Sequence, residues 1–280
     1  MESLRFVAPT EPIAPWLGGK RHLAQTLADL IAVIPHQTYI EPFMGMGGVF
    51  LRRRAIPPCE IINDINRELV TLFRVMQRHP VALEQQLLLW PLSSRDEFDR
   101  LKRIPPETMT DVERAARFLY LQRLAFGGRT PNPSFGVDLS AGTRLRIGAA
   151  LRQIRQLRAR LEGVVIDCLQ WQEIIRRYDR PDSLFYLDPP YWGGETDYGG
   201  GIFGRGDYAE MATVLAGLKG RFILSINDVP EVRRIFEEFR LVEVEVPYSI
   251  GAGSGAGVAA RELIVRDGKG DEVGPLFARS

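Results

Sequence analysis

Four consecutive residues, Asp188, Pro189, Pro190 and Tyr191, close the apolar run LFYLD and set three chemistries side by side. The two prolines cannot extend a strand ladder and hold their own φ near −65°, so the turn is stiff. A carboxylate beside a fixed carbonyl offers two acceptors to one NH₂ group, and the aromatic ring that follows offers a face on which a flat heterocycle could stack. Upstream, EPFMGMG places Gly45 and Gly47 after a short strand, where glycines let backbone N–H groups approach a ligand. An ordinary tight turn would use glycines equally well, and the third glycine of a dinucleotide motif is replaced by Phe50. Asp64, however, ends the run EIIND close to the roughly 20-residue interval at which an acid meets ribose hydroxyls. The pair favours a ligand that carries a nucleoside but no pyrophosphate. In PWLGGK, Trp16 and Lys20 flank two glycines, and the lysine can reach a carboxylate.

These groups need a frame. Residues 18–34 repeat apolar side chains near a 3.6 period, which predicts an amphipathic helix stopped before Pro35. TYIEPFMGMGGVFLRR reads as a strand, a glycine turn and a second helix; EIIND is a strand, and Arg67 to His79 a helix. Residues 80–126 read as helices broken at Pro91 and at Pro105-Pro106, followed by a glycine- and proline-containing loop over 127–142. Strands then resume in VVIDC, LFYLD, RFILSIN, LVEVEV and ELIV. Alternating strands and helices predict an α/β fold with a mostly parallel sheet. The last two strands have no room for a crossover helix and should form an antiparallel hairpin at or near an edge. GETDYGGGIFGRG, over 194–206, is too rich in glycine for a stable helix and is expected to be a mobile lid.

At 280 residues and 45% apolar composition the chain suits one large domain or a core with an inserted lobe. No apolar run reaches the ~18 residues of a membrane span, and residues 1–15 lack the pattern of a signal peptide, so a soluble intracellular protein is expected. Two cysteines and three histidines provide neither a disulfide framework nor a zinc spacing, and no metal site is expected. The net charge of +1 is unevenly spread: from Arg114 to Arg160 there are ten arginines and a single acid, Asp138. A basic island inside an otherwise acidic chain is the expected footprint of a phosphate backbone. A coding preference for arginine over lysine explains the residue type but not the clustering.

Taken in order, WLGGK, EPFMGMG, NDIN, LDPPY, LSIN and ELIV resemble the DNA adenine-N6 methyltransferase family of the D12 class, in the group whose cofactor motifs precede its target-recognition region. The resemblance implies a Rossmann-like methyltransferase sheet formed by 1–79 and 162–280, with a helical DNA target-recognition region at 80–161. It implies S-adenosylmethionine as cofactor, with Trp16 and Lys20 at its methionine part, Phe43, Gly45 and Gly47 around its pocket and Asp64 on its ribose. Gln170 and Trp171 stand where the family usually carries an aspartate-aromatic pair against the cofactor's adenine. Pro15 replaces a lysine common in the family.

Asp188 and the Pro189 carbonyl would accept the hydrogens of an adenine amine flipped out of double-stranded DNA. Pro190 would stiffen the turn and Tyr191 would stack on the base. RFLYLQRLAFGG would open the recognition region, with candidate DNA contacts at Arg123, Arg129 and Asn132. The resemblance also implies a cytoplasmic enzyme, encoded by a bacterium or phage, for which a cognate restriction endonuclease is a conceivable partner. Amino methylation of another base, such as cytosine N4 or an RNA adenine, would use the same acceptor pair. A catalytically silent DNA-binding relative is a further alternative, and a nicotinamide dehydrogenase is disfavoured by the missing third glycine.

Overall fold

All five side chains of SLFYL are buried, as required of a central strand covered on both faces. In the computed structural model, which describes residues 5–20, 22–90, 93–137, 139–140, 142–143, 145–246 and 260–268, this strand is β6 (Ser183–Leu187). It lies in a seven-stranded sheet with β2 (Thr38–Glu41), β4 (Cys59–Asn63), β5 (Val165–Asp167), β7 (Arg221–Asn227), β8 (Arg240–Val246) and β9 (Ala260–Arg266), in the order β5-β4-β2-β6-β7-β9-β8. The first five strands of that order are parallel. Strand β9 runs antiparallel to both β7 and β8, which leaves β8 at the edge. The expected mixed α/β sheet and its terminal hairpin are both present, consistent with a methyltransferase fold. A separate two-residue pair, β1 (Arg5–Phe6) with β3 (Ala55–Ile56), is too short to leave a periodic signal.

Side chains alternate across the sheet with period two. Tyr39, Ile62, Leu184, Tyr186 and Ile223 face α1 (Ala24–Val33), α2 (Arg67–Arg78) and the helical insertion. Ile40, Ile61, Phe185, Leu187 and Phe222 face α7 (Trp171–Tyr178), α8 (Arg205–Ala216) and α9 (Pro230–Ile235). The insertion contains α3 (Pro80–Leu88), α4 (Arg95–Arg103), α5 (Asp111–Leu124) and α6 (Ile147–Arg160). Leu83 and Leu87 of α3, Phe118 and Leu119 of α5, and Ile154 and Leu157 of α6 belong to the main core. Among the described residues, only Phe98, Leu101, Tyr120, Leu121, Leu124 and Leu145 form a core of the insertion's own. Thr110 and Glu113 start α5 with a reciprocal capping box, which fixes its first turn after Pro105-Pro106.

Two helix expectations are corrected. The first helix begins at Ala24 rather than at residue 18, because Gly18 is left-handed at φ +70° and the preceding loop turns toward the site. The helix expected after the glycine turn is a single 3₁₀ turn, Phe50–Arg52. Gly47 at φ +74° interrupts right-handed winding, and Arg53 leaves it in extended conformation to pair with buried Glu60. Gly45 and Gly47 therefore do not open an α-helix, and no helix N-terminus stands ready there for a phosphate. The break expected at Pro91 lies outside the described residues.

Candidate active site

The chain fills the sheet outward in both directions from the β2–β6 junction, and a cavity of about 770 Å³ opens there at the strands' carboxyl ends. Trp16, Lys20, Phe43, Gly45, Asp64, Gln170, Trp171, Asp188 and Pro190 line it. Gly47, Pro189 and Tyr191 are adjacent in sequence but are not wall residues. Arg123 reaches the wall, Arg129 is exposed, and Asn132 borders a separate cavity of about 300 Å³ beside Lys102 and Arg117. The structure thus joins the Trp16, Gly45, Asp64 and Asp188 motifs but does not bring Arg129 or Asn132 to them.

Asp64 shapes the glycine turn. Its Oδ2 accepts the Gly45 N–H at 2.9 Å and its Oδ1 the Asn66 N–H at 2.9 Å. Burial pushes its pKa up to about 6, against the opposing pull of those N–H groups. A Cβ on Gly45 would lie 2.7 Å from Trp16 Nε1, so glycine allows the indole to pack on the turn. Asn63, absent from the expected site, ties three loops together. Its amide donates to the carbonyls of Pro42 and Leu169 and accepts the Leu169 N–H.

The Asp188 turn is held from several sides. Asn227, at the end of β7, accepts the Trp192 N–H and donates to the Trp192 carbonyl, while Tyr208 donates to the Pro190 carbonyl at 2.9 Å. Lys20 Nζ lies 2.9 Å from Asp188 Oδ1, donates to the Tyr191 hydroxyl and stands 4.1 Å from the centre of the Tyr191 ring. The ammonium therefore sits at the hydroxyl end of the ring expected to receive a base. Burial raises the Asp188 pKa to about 6, against the lowering effect of Lys20. Burial, then the Asp188 and Glu262 charges, hold the Tyr191 hydroxyl protonated well above its ordinary range.

Glu41, which opens the EPFMGMG motif without an expected role there, is also a wall residue. It is 2% exposed and accepts from Tyr39 Oη at 2.8 Å, and burial pushes its pKa up to about 8. The segment over 194–206 does cover the cavity, and its last residues already belong to α8. Tyr198 donates to the Leu17 carbonyl at 2.8 Å, and Phe203 packs edge-on to Phe43 at 6.0 Å. Trp171 points its indole N–H at Asp207 Oδ1, 3.3 Å away.

Five of the ten arginines of the island are engaged by partners within the chain. Arg53 and Arg160 share the buried Glu60 carboxylate, with Arg160 Nη1 2.7 Å from Glu60 Oε2. Arg114 pairs with Glu68 and Arg155 with Glu84. Arg117 donates to the Leu101 carbonyl at 2.7 Å, and Arg123 to the Ile13 carbonyl at 2.7 Å and to Gln153. Arg129, Arg146 and Arg152 are exposed, and Arg144 lies outside the described residues. The charge count alone therefore overstates what a polyanion could meet.

Comparison with known proteins agrees with this geometry. The family model for D12 class N6 adenine-specific DNA methyltransferases matches residues 16–250. A type II methyltransferase, M.CviBI of Paramecium bursaria Chlorella virus NC1A, is 23% identical, covering 88% of this chain and 94% of its own. The DNA adenine methylase of Haemophilus influenzae is 25% identical over 94% of this chain and 96% of its own. The type II methyltransferase M1.LlaDCHI of Lactococcus lactis subsp. cremoris is 27% identical over 91% and 94%. With most of its length matched and the family's motifs gathered around one cavity, the chain belongs to the D12 class of N6 adenine-specific DNA methyltransferases.

Proposed function

We propose that this protein transfers a methyl group from S-adenosylmethionine to N6 of an adenine flipped out of double-stranded DNA. The observation that carries this reading is the position of Asp188, on the wall of the same cavity that Asp64 and the Trp16–Gly45 contact shape. The residues fit the donor. Asp64 and Asp188 give the wall an acidic character suited to a sulfonium, Phe43, Trp171 and Phe203 give it aromatic surface, and the Gln170 amide can both donate and accept. S-adenosylmethionine supplies an activated methyl group, so the chain's own work is to prepare the acceptor.

An adenine amine is a poor nucleophile because its lone pair is delocalised into the ring. Asp188 and the Pro189 carbonyl each accept one N6 hydrogen and press the nitrogen toward tetrahedral geometry, by positioning and electrostatics alone. A carboxylate with a pKa near 6 is ionised at neutral pH and can still hold the proton the amine sheds. Extruding the base costs a few kcal/mol. Stacking on Tyr191 would return about 1–3 kcal/mol.

Tritiated-methyl incorporation into duplex DNA tests the assignment. Asp188→Ala should abolish transfer while leaving a folded protein with residual DNA affinity, and normal turnover by that variant would overturn it. Mass analysis of digested DNA should show N6-methyladenine; N4-methylcytosine or methylated RNA adenine would redirect the reading to another amine.

A further inference from the structure

We propose that Glu262, on β9, is a positioning residue that receives the Lys20 ammonium when Asp188 takes up the substrate amine. The inference rests on the reading of Asp188 given above and concerns how that residue becomes available. Lys20 occupies the acceptor the base would need, Asp188 Oδ1, and also donates to the Tyr191 hydroxyl. Its side chain is only 3% exposed, and a buried ammonium without an anion is strongly disfavoured. Besides the cofactor's carboxylate, a second protein anion close by would let the ammonium shift without losing its partner.

Glu262 meets that need. In the sheet it sits opposite Asn227 of β7, whose side chain clamps the turn carrying Tyr191 and Trp192. Its Oε2 is buried and makes no hydrogen bond, yet lies 3.5 Å from Lys20 Nζ. A buried carboxylate oxygen left without a donor is rare enough to call for an explanation. Here it is a vacant acceptor beside an ammonium with three donors, and a small movement of Lys20 would convert ion pair into hydrogen bond while freeing Asp188 Oδ1.

The groups facing Asp188 are Lys20 from the loop before α1, Tyr186 on β6, Ser225 on β7 at 3.4 Å, Glu262 on β9, and Tyr191 and Tyr198 from the following segment, while burial and, in turn, the Asp188 charge raise the pKa of Glu41 on β2. Glu262 raises the Asp188 pKa through like charge and competes for the lysine that lowers it. Removing its charge acts in one direction on both counts.

In Glu262→Gln, the acid limb of kcat/KM for DNA methylation should move to lower pH by roughly half a unit or more. Methyl transfer at pH 8 should fall about tenfold, since Lys20 then stays on Asp188. Carboxyl ¹³C NMR of Asp188 in the protein alone, assigned through Asp188→Asn, should show the same downward displacement without relying on turnover. Glu262→Asp keeps the charge and should keep the limb near its original position with an intermediate rate. A merely architectural Glu262 would lower rate or melting temperature and leave both titrations in place, and that result would overturn the inference. Methylation by Asp188→Ala would instead overturn the functional reading itself.

Discussion

The backbone N–H of Gly45 donates to Asp64 Oδ2 across 2.9 Å, so the carboxylate that would hold a ribose is also what closes the glycine turn. Gly45→Ala would force a Cβ to 2.7 Å from Trp16 Nε1 at φ +52°. The left-handed backbone alone costs about 1 kcal/mol for alanine. The indole must also move, so S-adenosylmethionine affinity should drop about tenfold with only a modest change in melting temperature. Isothermal titration alongside thermal melts checks this; unchanged affinity would remove Trp16 from the cofactor wall.

The pH dependence of methyl transfer follows from Asp188. Its folded pKa is about 6, and only the carboxylate accepts an N6 hydrogen, so kcat/KM should rise with pH through about 6 and level off above it. A rate flat from pH 5 to 8 would contradict the role.

Glu41 yields a stability prediction of defined sign. Its folded pKa is about 8 against an ordinary 4.5, so the native state keeps a proton that the unfolded chain loses. Stability therefore falls as pH rises from about 4.5 to 8. Glu41→Gln is neutral in both states and can still accept from Tyr39. It should melt higher than the parent at pH 8, by up to a few kcal/mol at roughly 1.4 kcal/mol per pKa unit, with little difference at pH 4.5. Equal gains at both values would show that Glu41 is ionised in the fold.

The arginines should divide into two classes. Arg160→Met strands part of the Glu60 charge and should destabilise by about 3 kcal/mol while leaving the salt dependence of DNA binding unchanged. Arg129→Ala or Arg152→Ala should leave the melt unchanged and flatten the slope of log K against log salt by about 0.9 for each phosphate that is no longer neutralised. Fluorescence anisotropy across a salt series separates the classes, and a flattened slope for Arg160→Met would return that residue to the DNA face.

Residues whose chemistry lies in a local motif were legible before folding. Asp188 and Asp64 end apolar strands, and parallel strands deliver their carboxyl ends to one side of a sheet, so the meeting of LDPPY with NDIN could be read from order alone. Asn63, Phe203 and Glu262 were not legible, because each acts through a partner from a distant segment, and neither was Glu41, whose role comes from burial rather than from its neighbours in sequence. Glu262 inside ELIV reads as one more strand residue until β9 is placed beside β7. The same limit explains the arginine count. The acids that neutralise Arg114, Arg155 and Arg160 are Glu68, Glu84 and Glu60, all outside the arginine-rich stretch itself. The second helix fails to form for a different reason: its residues suit helix, but a left-handed glycine and a buried Arg53 override that preference.

Glu60 takes Arg53 from beneath the sheet and Arg160 from the last turn of α6, each guanidinium resting on an aromatic ring, Tyr39 and Phe50 respectively. That rivet ties the end of α6 to the sheet just before the chain returns to β5. On the function proposed above, nucleic acid lying across both parts would meet a braced surface there, and curvature in the complex would be drawn from the elasticity of the double helix.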